Sequence, residues 1–234
     1  MAKAEKILCT IPARAGSKRL PEKNLRLLAG KPMIAYSIET ALKSGFFEDV
    51  YICTEDEKIA EVAQQYGAKV PFLMSPELCD DLVASHIPCQ QMATFLSNKG
   101  QSFETLVCLQ PTSPLRSVED LQVGLEHFLA ENLDFLVSVT PIDPHYFHWA
   151  LMPDNQNSWS MYFGNKYLKE RPLLTPVFRP NGSIKIARLE KLKEVGHFFG
   201  SQMGVVETPE ERSIHVATQI EFELCEFLLG RKSS

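Results

Sequence analysis

No apolar run in this 234-residue chain approaches the length needed to span a bilayer. The start, Met-Ala-Lys-Ala-Glu-Lys, does not read as a signal peptide, so the expected compartment is the cytoplasm and no membrane partner is expected. Cys-x-x-Cys pairs are missing too. The six cysteines are scattered at positions 9, 53, 79, 89, 108 and 225, and three of them fall in apolar, strand-like runs. They read as small buried hydrophobes in a reducing compartment, against disulfides or a zinc site. Neither Gly-x-x-x-x-Gly-Lys-Ser/Thr nor a Gly-x-Gly-x-x-Gly after a strand occurs, which removes the main warrants for an ATPase or a dinucleotide oxidoreductase. Positive charge is not in excess: a net charge of -5 argues against nucleic acid as a partner. An anionic ligand must then be drawn by a local basic pocket, against the overall field. Repeats, low-complexity tracts and linkers are absent as well, and 44% apolar residues suffice for one α/β domain spanning 1–234.

What is present begins with residues 11–25, Ile-Pro-Ala-Arg-Ala-Gly-Ser-Lys-Arg-Leu-Pro-Glu-Lys-Asn-Leu, directly after the apolar Ile7, Leu8 and Cys9. Gly and Pro break the segment too often for a helix, so its cations sit in a turn leaving a buried strand. Free backbone N–H groups around Gly16 and Ser17, with Arg14, Lys18 and Lys23, suit a polyphosphate. Arg forks two phosphate oxygens, whereas Lys is a mobile point charge; the mixture fits a triphosphate that changes shape during reaction.

Short runs rich in β-branched or aromatic residues at 6–11, 49–54, 69–73, 105–109 and 134–139 predict strands buried on both faces. Helix-like stretches at 32–43, 57–66, 84–96 and 118–130 alternate with them, with Gly45, Gly67 and Gly100 as stops. The alternation predicts an α/β fold, a mostly parallel sheet with helices on both faces. Ligands in such a fold sit at the carboxyl ends of strands, where the loops after Ile11, Thr54, Gln110 and Thr140 converge. The pattern breaks at 141–178, rich in Pro and in aromatics such as Tyr146, Trp149, Trp159 and Tyr162. Exposed aromatics of this kind mark a lid or, more often, a partner surface. Strands at 183–187 and 203–206 and a helix at 219–229 return to the sheet.

The cationic segment resembles the N-terminal signature of the CMP-N-acylneuraminate synthetase family, and the likeness continues through 109–116, Leu-Gln-Pro-Thr-Ser-Pro-Leu-Arg, and 178–182, Phe-Arg-Pro-Asn-Gly. Three blocks in one order are more specific than any one. The resemblance implies a three-layer Rossmann-like nucleotidyltransferase fold with a mixed, mostly parallel sheet, and a protruding dimerisation arm at 141–178. It implies attack of a nonulosonic acid's anomeric hydroxyl on the α-phosphorus of CTP, with Mg2+ as cofactor. CTP and a nine-carbon keto-sugar acid are then the ligands and a second copy of the chain the partner. Arg14, Lys18 and Lys23 match phosphate-contacting positions, Lys18 and Lys23 toward the β and γ phosphates and Arg14 nearer the α-phosphate. Asn24 matches a residue near the nucleotide, or is a simple turn-forming Asn. Gln110 matches a substrate-side amide, and Arg116 reads as a structural cap of its loop. Arg179 and Asn181 flank Pro180 in an expected turn that presents both to one pocket. Phe198 and Phe199 match an aromatic pair around the N-acyl group, with a core role equally open. Arg171 and His148 fall at arm positions that reach the neighbouring subunit's sugar.

The C-terminal segment departs from the family pattern. Where relatives carry a magnesium-holding Asp-x-Asp, this chain has His215 and Ala217 in Ser-Ile-His-Val-Ala-Thr. Imidazole is a poor magnesium ligand and Ala none. Three readings stay open: magnesium brought on the triphosphate with one carboxylate from Asp80, Asp81 or Glu207; His215 acting in proton transfer; or a homologue that binds nucleotide without turnover. A keto-sugar acid of another size, or a sugar phosphate with another nucleotide, is a further alternative. Met74 replaces a common Arg, and Lys185 replaces a common substrate-side Tyr.

Overall fold

The computed structural model describes residues 5–80, 82–154 and 158–232. The first strand, β1 (Ile7–Pro12), leads through a loop to the small pair β2 (Leu27–Leu28) and β3 (Lys31–Pro32), and then into α1 (Met33–Lys43). After it come β4 (Val50–Cys53), α2 (Glu57–Gln65), α3 (His86–Asn98), β5 (Thr105–Leu109), α4 (Val118–Ala130) and β6 (Phe135–Ile142). A peripheral segment holds α5 (Pro144–His148), β7 (Leu151–Pro153) and β8 (Trp159–Met161). The chain re-enters the sheet as β9 (Val177–Arg188) and finishes with α6 (Leu189–Val195), β10 (Met203–Glu207) and α7 (Gln219–Lys232).

The six-stranded sheet has the order β10-β6-β9-β5-β1-β4. Its neighbours are parallel except at β9, which runs antiparallel to both β5 and β6. Side chains alternate across it with a period of two. Cys9, Ile11, Val107, Leu109, Ile184 and Ile186 face α1, α2 and α4, where Ile38, Ile59 and Leu125 meet them. Leu8, Leu106, Cys108 and Val137 face α3 and α6, where Met92 and Leu192 complete a second core. A third cluster of Leu28, Met33, Leu115, Val216 and Phe222 seats α7. These are the three layers expected.

Local signals explain the element starts. Asp56 accepts the Ile59 N–H at 2.8 Å and begins α2, and Ser117 with Asp120 forms a reciprocal capping box at α4. Gly45, Gly67 and Gly100 each stand two residues past a helix end, as anticipated. All six cysteines are buried and free. Among the described residues no helix is long and apolar enough to cross a membrane.

Three expectations need correction. The run at 69–73 is not a strand; Lys69 makes one isolated bridge to Tyr51 on the edge strand β4, and Pro71, which has no N–H, cannot extend the ladder. The helix expected from Ala84 begins at His86. The segment around Pro180 is not a turn but part of β9, twelve residues long, because Arg179 and Pro180 pair with Thr140 and Val139 on β6. A bulge between Val137 and Val139 absorbs the irregularity there.

Candidate active site

The loop between β1 and β2 is fixed at several points by its own backbone. Ala13 N–H donates to Cys53 O at 2.9 Å, and Ala15 N–H donates to Glu55 Oε1 at 2.8 Å. At the other end the buried Asn24 donates from Nδ2 to Arg14 O at 2.9 Å, and its own carbonyl accepts the Ile34 N–H. The loop is therefore fastened across its mouth before any ligand arrives, which reduces the ordering cost of binding.

This loop borders a cavity of about 270 Å³ at the carboxyl ends of β1, β4 and β5. Arg14, Ser17, Lys23 and Asn24 line it from the first loop. Asp80 and Ser85 line it from the segment before α3, Gln110 and Thr112 from the loop after β5, and His215 from the segment before α7. Gly16 and Lys18 lie on the exposed outer part of the loop and are not among the lining residues. Asn24 both lines the cavity and fastens the loop, which joins its two readings.

The Gln110 loop is held from behind. Arg116, 4% exposed, donates from Nη2 to Gln110 O at 2.9 Å, from Nε to Ser183 O at 2.9 Å, and from Nη1 to Ser37 Oγ at 3.2 Å. Burial pushes its pKa down to about 10, which leaves it a cation near neutrality. Arg116 is thus the structural cap foreseen. With its backbone held, Gln110 directs its side chain to the cavity, close beside Gly182. Gly182 has φ +74°, and a Cβ there would stand 2.9 Å from Gln110 Oε1 and 3.6 Å from His215 Nδ1. Glycine is required both for the left-handed backbone and for the close approach.

His215 Nδ1 lies 3.2 Å from Thr112 Oγ1. Burial, followed by the nearby Lys23 ammonium, pushes its pKa down to about 4. An imidazole so hard to protonate is a weak base near neutrality, which weighs against the reading in which His215 takes the anomeric proton. Two residues on, Ala217 gives its N–H to Glu221 Oε2 at 2.8 Å, so this stretch serves as the entry to α7. Among the described residues no group of three or more His, Cys, Asp or Glu is placed to hold a metal. Asp80 borders the cavity, Glu207 is exposed outside it, and Asp81 lies outside the described residues.

The other predicted residues separate. Asn181, 3% exposed, donates from Nδ2 to Thr208 Oγ1 at 2.6 Å and Ser213 Oγ at 3.0 Å while Ser138 donates to its Oδ1, which ties the bulge to the chain after β10. Arg179 is exposed on β9 and neither residue lines the cavity, so the two do not share a pocket; the Asn181 side chain is spent on internal bonds, and β-pairing engages only the backbone of Arg179. Phe198 is buried, whereas Phe199 is 43% exposed. His148 is buried next to Phe147 and Phe163 within the peripheral segment, and the side chain of Arg171 lies outside the described residues. Sequence reasoning passed over Glu55, Ser85 and Thr112. All three lie within a few residues of a strand end or helix start, and Glu55 directly follows Thr54, whose loop was already expected at the site.

A doubly covered, mostly parallel sheet with a pre-fastened cationic loop over a polar cavity defines the protein as a nucleotidyltransferase-type α/β enzyme. More narrowly, the chain belongs to the cytidylyltransferase family, whose model matches residues 8–180. It is 33% identical over 228 residues to a pseudaminic acid cytidylyltransferase of Campylobacter jejuni, covering 95% of this chain and 96% of that one. It is 35% identical over 242 residues to a CMP-N,N'-diacetyllegionaminic acid synthase of Legionella pneumophila, covering 96% of each. Among solved structures, a CMP:2-keto-3-deoxy-manno-octonic acid synthetase complexed with CTP superposes with a TM-score of 0.74 at 18% identity, over 97% of this chain and all of that one. That likeness speaks for the fold alone.

Proposed function

We propose that the chain transfers CMP from CTP to the anomeric hydroxyl of an N-acylneuraminate or related nonulosonic acid and releases pyrophosphate. The observation that carries this reading is one cavity lined by Arg14, Ser17, Lys23 and Gln110, in a chain about one third identical to cytidylyltransferases named for such acids. The hydroxyl oxygen attacks the α-phosphorus as its proton passes to solvent water, the bond to the α-β bridging oxygen breaks, and its electron pair leaves on pyrophosphate. Little covalent work falls to the protein, so positioning and charge neutralisation dominate. Arg14 takes the α-phosphate side, Lys23 the departing phosphates, and Lys18 the outer end of the triphosphate as it enters. The amides expected around Gly16 and Ser17 are largely spent, since the Ser17 N–H donates to Ala15 O at 2.8 Å and the Ala15 N–H to Glu55 Oε1, so the Ser17 side chain and the cations carry the phosphate contacts while Gln110 orients the acceptor.

The described residues do not build a magnesium site of their own, so the ion is expected to enter on CTP, held chiefly by phosphate oxygens and water. Asp80 is then the carboxylate bordering the cavity. The segment at 141–178, with Tyr146, Trp149, Trp159 and Tyr162 all more than half exposed, is proposed as the contact to a second copy, whose Arg171 would approach the acceptor. The cytoplasm is the proposed compartment. Pyrophosphate release from CTP, magnesium and a panel of nonulosonic acids tests the reaction. Folded protein that stays inactive across the panel refutes it, and parallel assays with ATP, GTP and UTP test the base.

A further inference from the structure

Lys185 occupies a position where a charge is hard to explain by folding alone. It lies on β9 in register with Cys108 on β5 and Val137 on β6, both buried, and it shares their side of the sheet. Its flanking residues Ile184 and Ile186 pack into the opposite core. Lys185 is half-buried, and an ammonium in such an apolar row gains from an anionic partner. Among the described residues no carboxylate is within ion-pair distance of it. What it has is Ser85 Oγ at 3.3 Å and the Phe198 ring at 5.6 Å from centroid to Nζ.

Ser85 lines the cavity, and the Lys185 ammonium, not itself a lining group, stands behind Ser85 on the sheet side. Its field extends further: it contributes, after burial and other charges, to the lowered pKa values of His86 and His215. Positive charge in and behind the cleft is thus in two places. Arg14 and Lys23 rise from the first loop, while Lys185 stands on the central strand beside Ser85 and Phe198. A triphosphate accounts for the first group. The second is left for the other reactant.

We propose that Lys185 is the specificity-determining cation of the acceptor end, receiving the carboxylate of the keto-sugar acid. The inference rests on the reading of the cavity as a site for CTP and a keto acid. It gives a lysine on an apolar strand face a function, and it predicts that neutral sugars lacking the carboxylate are rejected.

The test uses the full chain with Lys185→Met and Lys185→Arg, each checked for folding by thermal melting. With saturating CTP, Lys185→Met is expected to raise the KM for the keto acid on the order of thirtyfold, with the KM for CTP unchanged within about twofold; Lys185→Arg should recover most of the loss. A substrate whose carboxylate is replaced by a carboxamide should be discriminated by the parent chain by a similar factor and by Lys185→Met hardly at all. A KM for CTP that rises instead assigns the lysine to the nucleotide and overturns the proposal. So does a Met variant that still prefers acid over amide as strongly as the parent. Should the Met variant not fold, Lys185→Gln is measured in its place against the same outcomes. Calorimetric titration of the keto acid separates this idea from the catalytic one. Acid binding that depends on Lys185 without pyrophosphate release defeats the reaction and keeps the inference, and turnover with Lys185-independent acid binding does the reverse.

Discussion

Replacing His215 by Gln isolates one group's contribution to stability as a function of pH. In the folded chain its pKa is pushed from 6.5 to about 4, whereas the unfolded chain keeps the ordinary value. Above about pH 6.5 the imidazole is neutral in both states and costs nothing. As pH falls through 6.5 the unfolded state takes up the proton first, so folding is progressively disfavoured until pH reaches about 4, below which the difference is constant. A shift of about 2.5 units at 1.36 kcal/mol each sets the loss at roughly 3 kcal/mol. For a chain of this size that equals a fall in Tm of about 6–12 °C. Gln retains a polar partner for Thr112 Oγ1 and does not titrate. The assay is urea unfolding of both proteins at pH 7.5 and pH 4.5. Carboxylates that titrate in the same range cancel in the difference, so the parent should lose about 2–3 kcal/mol more than His215→Gln over that interval. Equal losses in the two proteins refute the placement of His215 as a buried neutral imidazole beside Lys23.

Three further outcomes follow from the same geometry. Lys23→Ala, which removes positive charge facing the departing phosphates, is expected to lower turnover about a hundredfold, read by pyrophosphate release; unchanged kinetics refute the role. Arg116→Met leaves the Gln110 and Ser183 carbonyls without their buried donor and should cost about 3–5 kcal/mol, visible as a Tm lowered by roughly 10 °C; a Tm within about 2 °C of the parent contradicts the cap. Gly182→Ala places a methyl against Gln110 Oε1 in a left-handed backbone, so a stability loss of about 1–2 kcal/mol and an acceptor KM about tenfold higher are expected, with the KM for CTP unchanged.

The sheet was largely legible because its strands, buried on both faces, produce uninterrupted apolar runs, and because helix stops at Gly45, Gly67 and Gly100 punctuate them. The first loop was legible for a different reason: cations following a buried strand have few structural uses. What escaped notice depends on pairing across distant parts of the chain. Pro180 and Gly182 look like a turn in isolation, yet β6 lies alongside and draws them into a strand through a bulge. Asn181 reads as a ligand contact until Ser138, Thr208 and Ser213, remote in sequence, surround it. Glu55 and Thr112 carry no local signature, since their side chains act through bonds to the Ala15 amide and the His215 ring, both remote in sequence.

The antiparallel course of β9 has a consequence for how variable this molecule is free to be. Ile142 and Val177, where the peripheral excursion departs and returns, are rungs of one ladder. Residues 143–176 therefore hang from a single hairpin stem, and lengthening them changes the closure entropy only logarithmically. Pruning the excursion to a tight turn would leave every central strand with its neighbours. Selection is thus free to reshape this appendage without renegotiating the sheet behind the cavity.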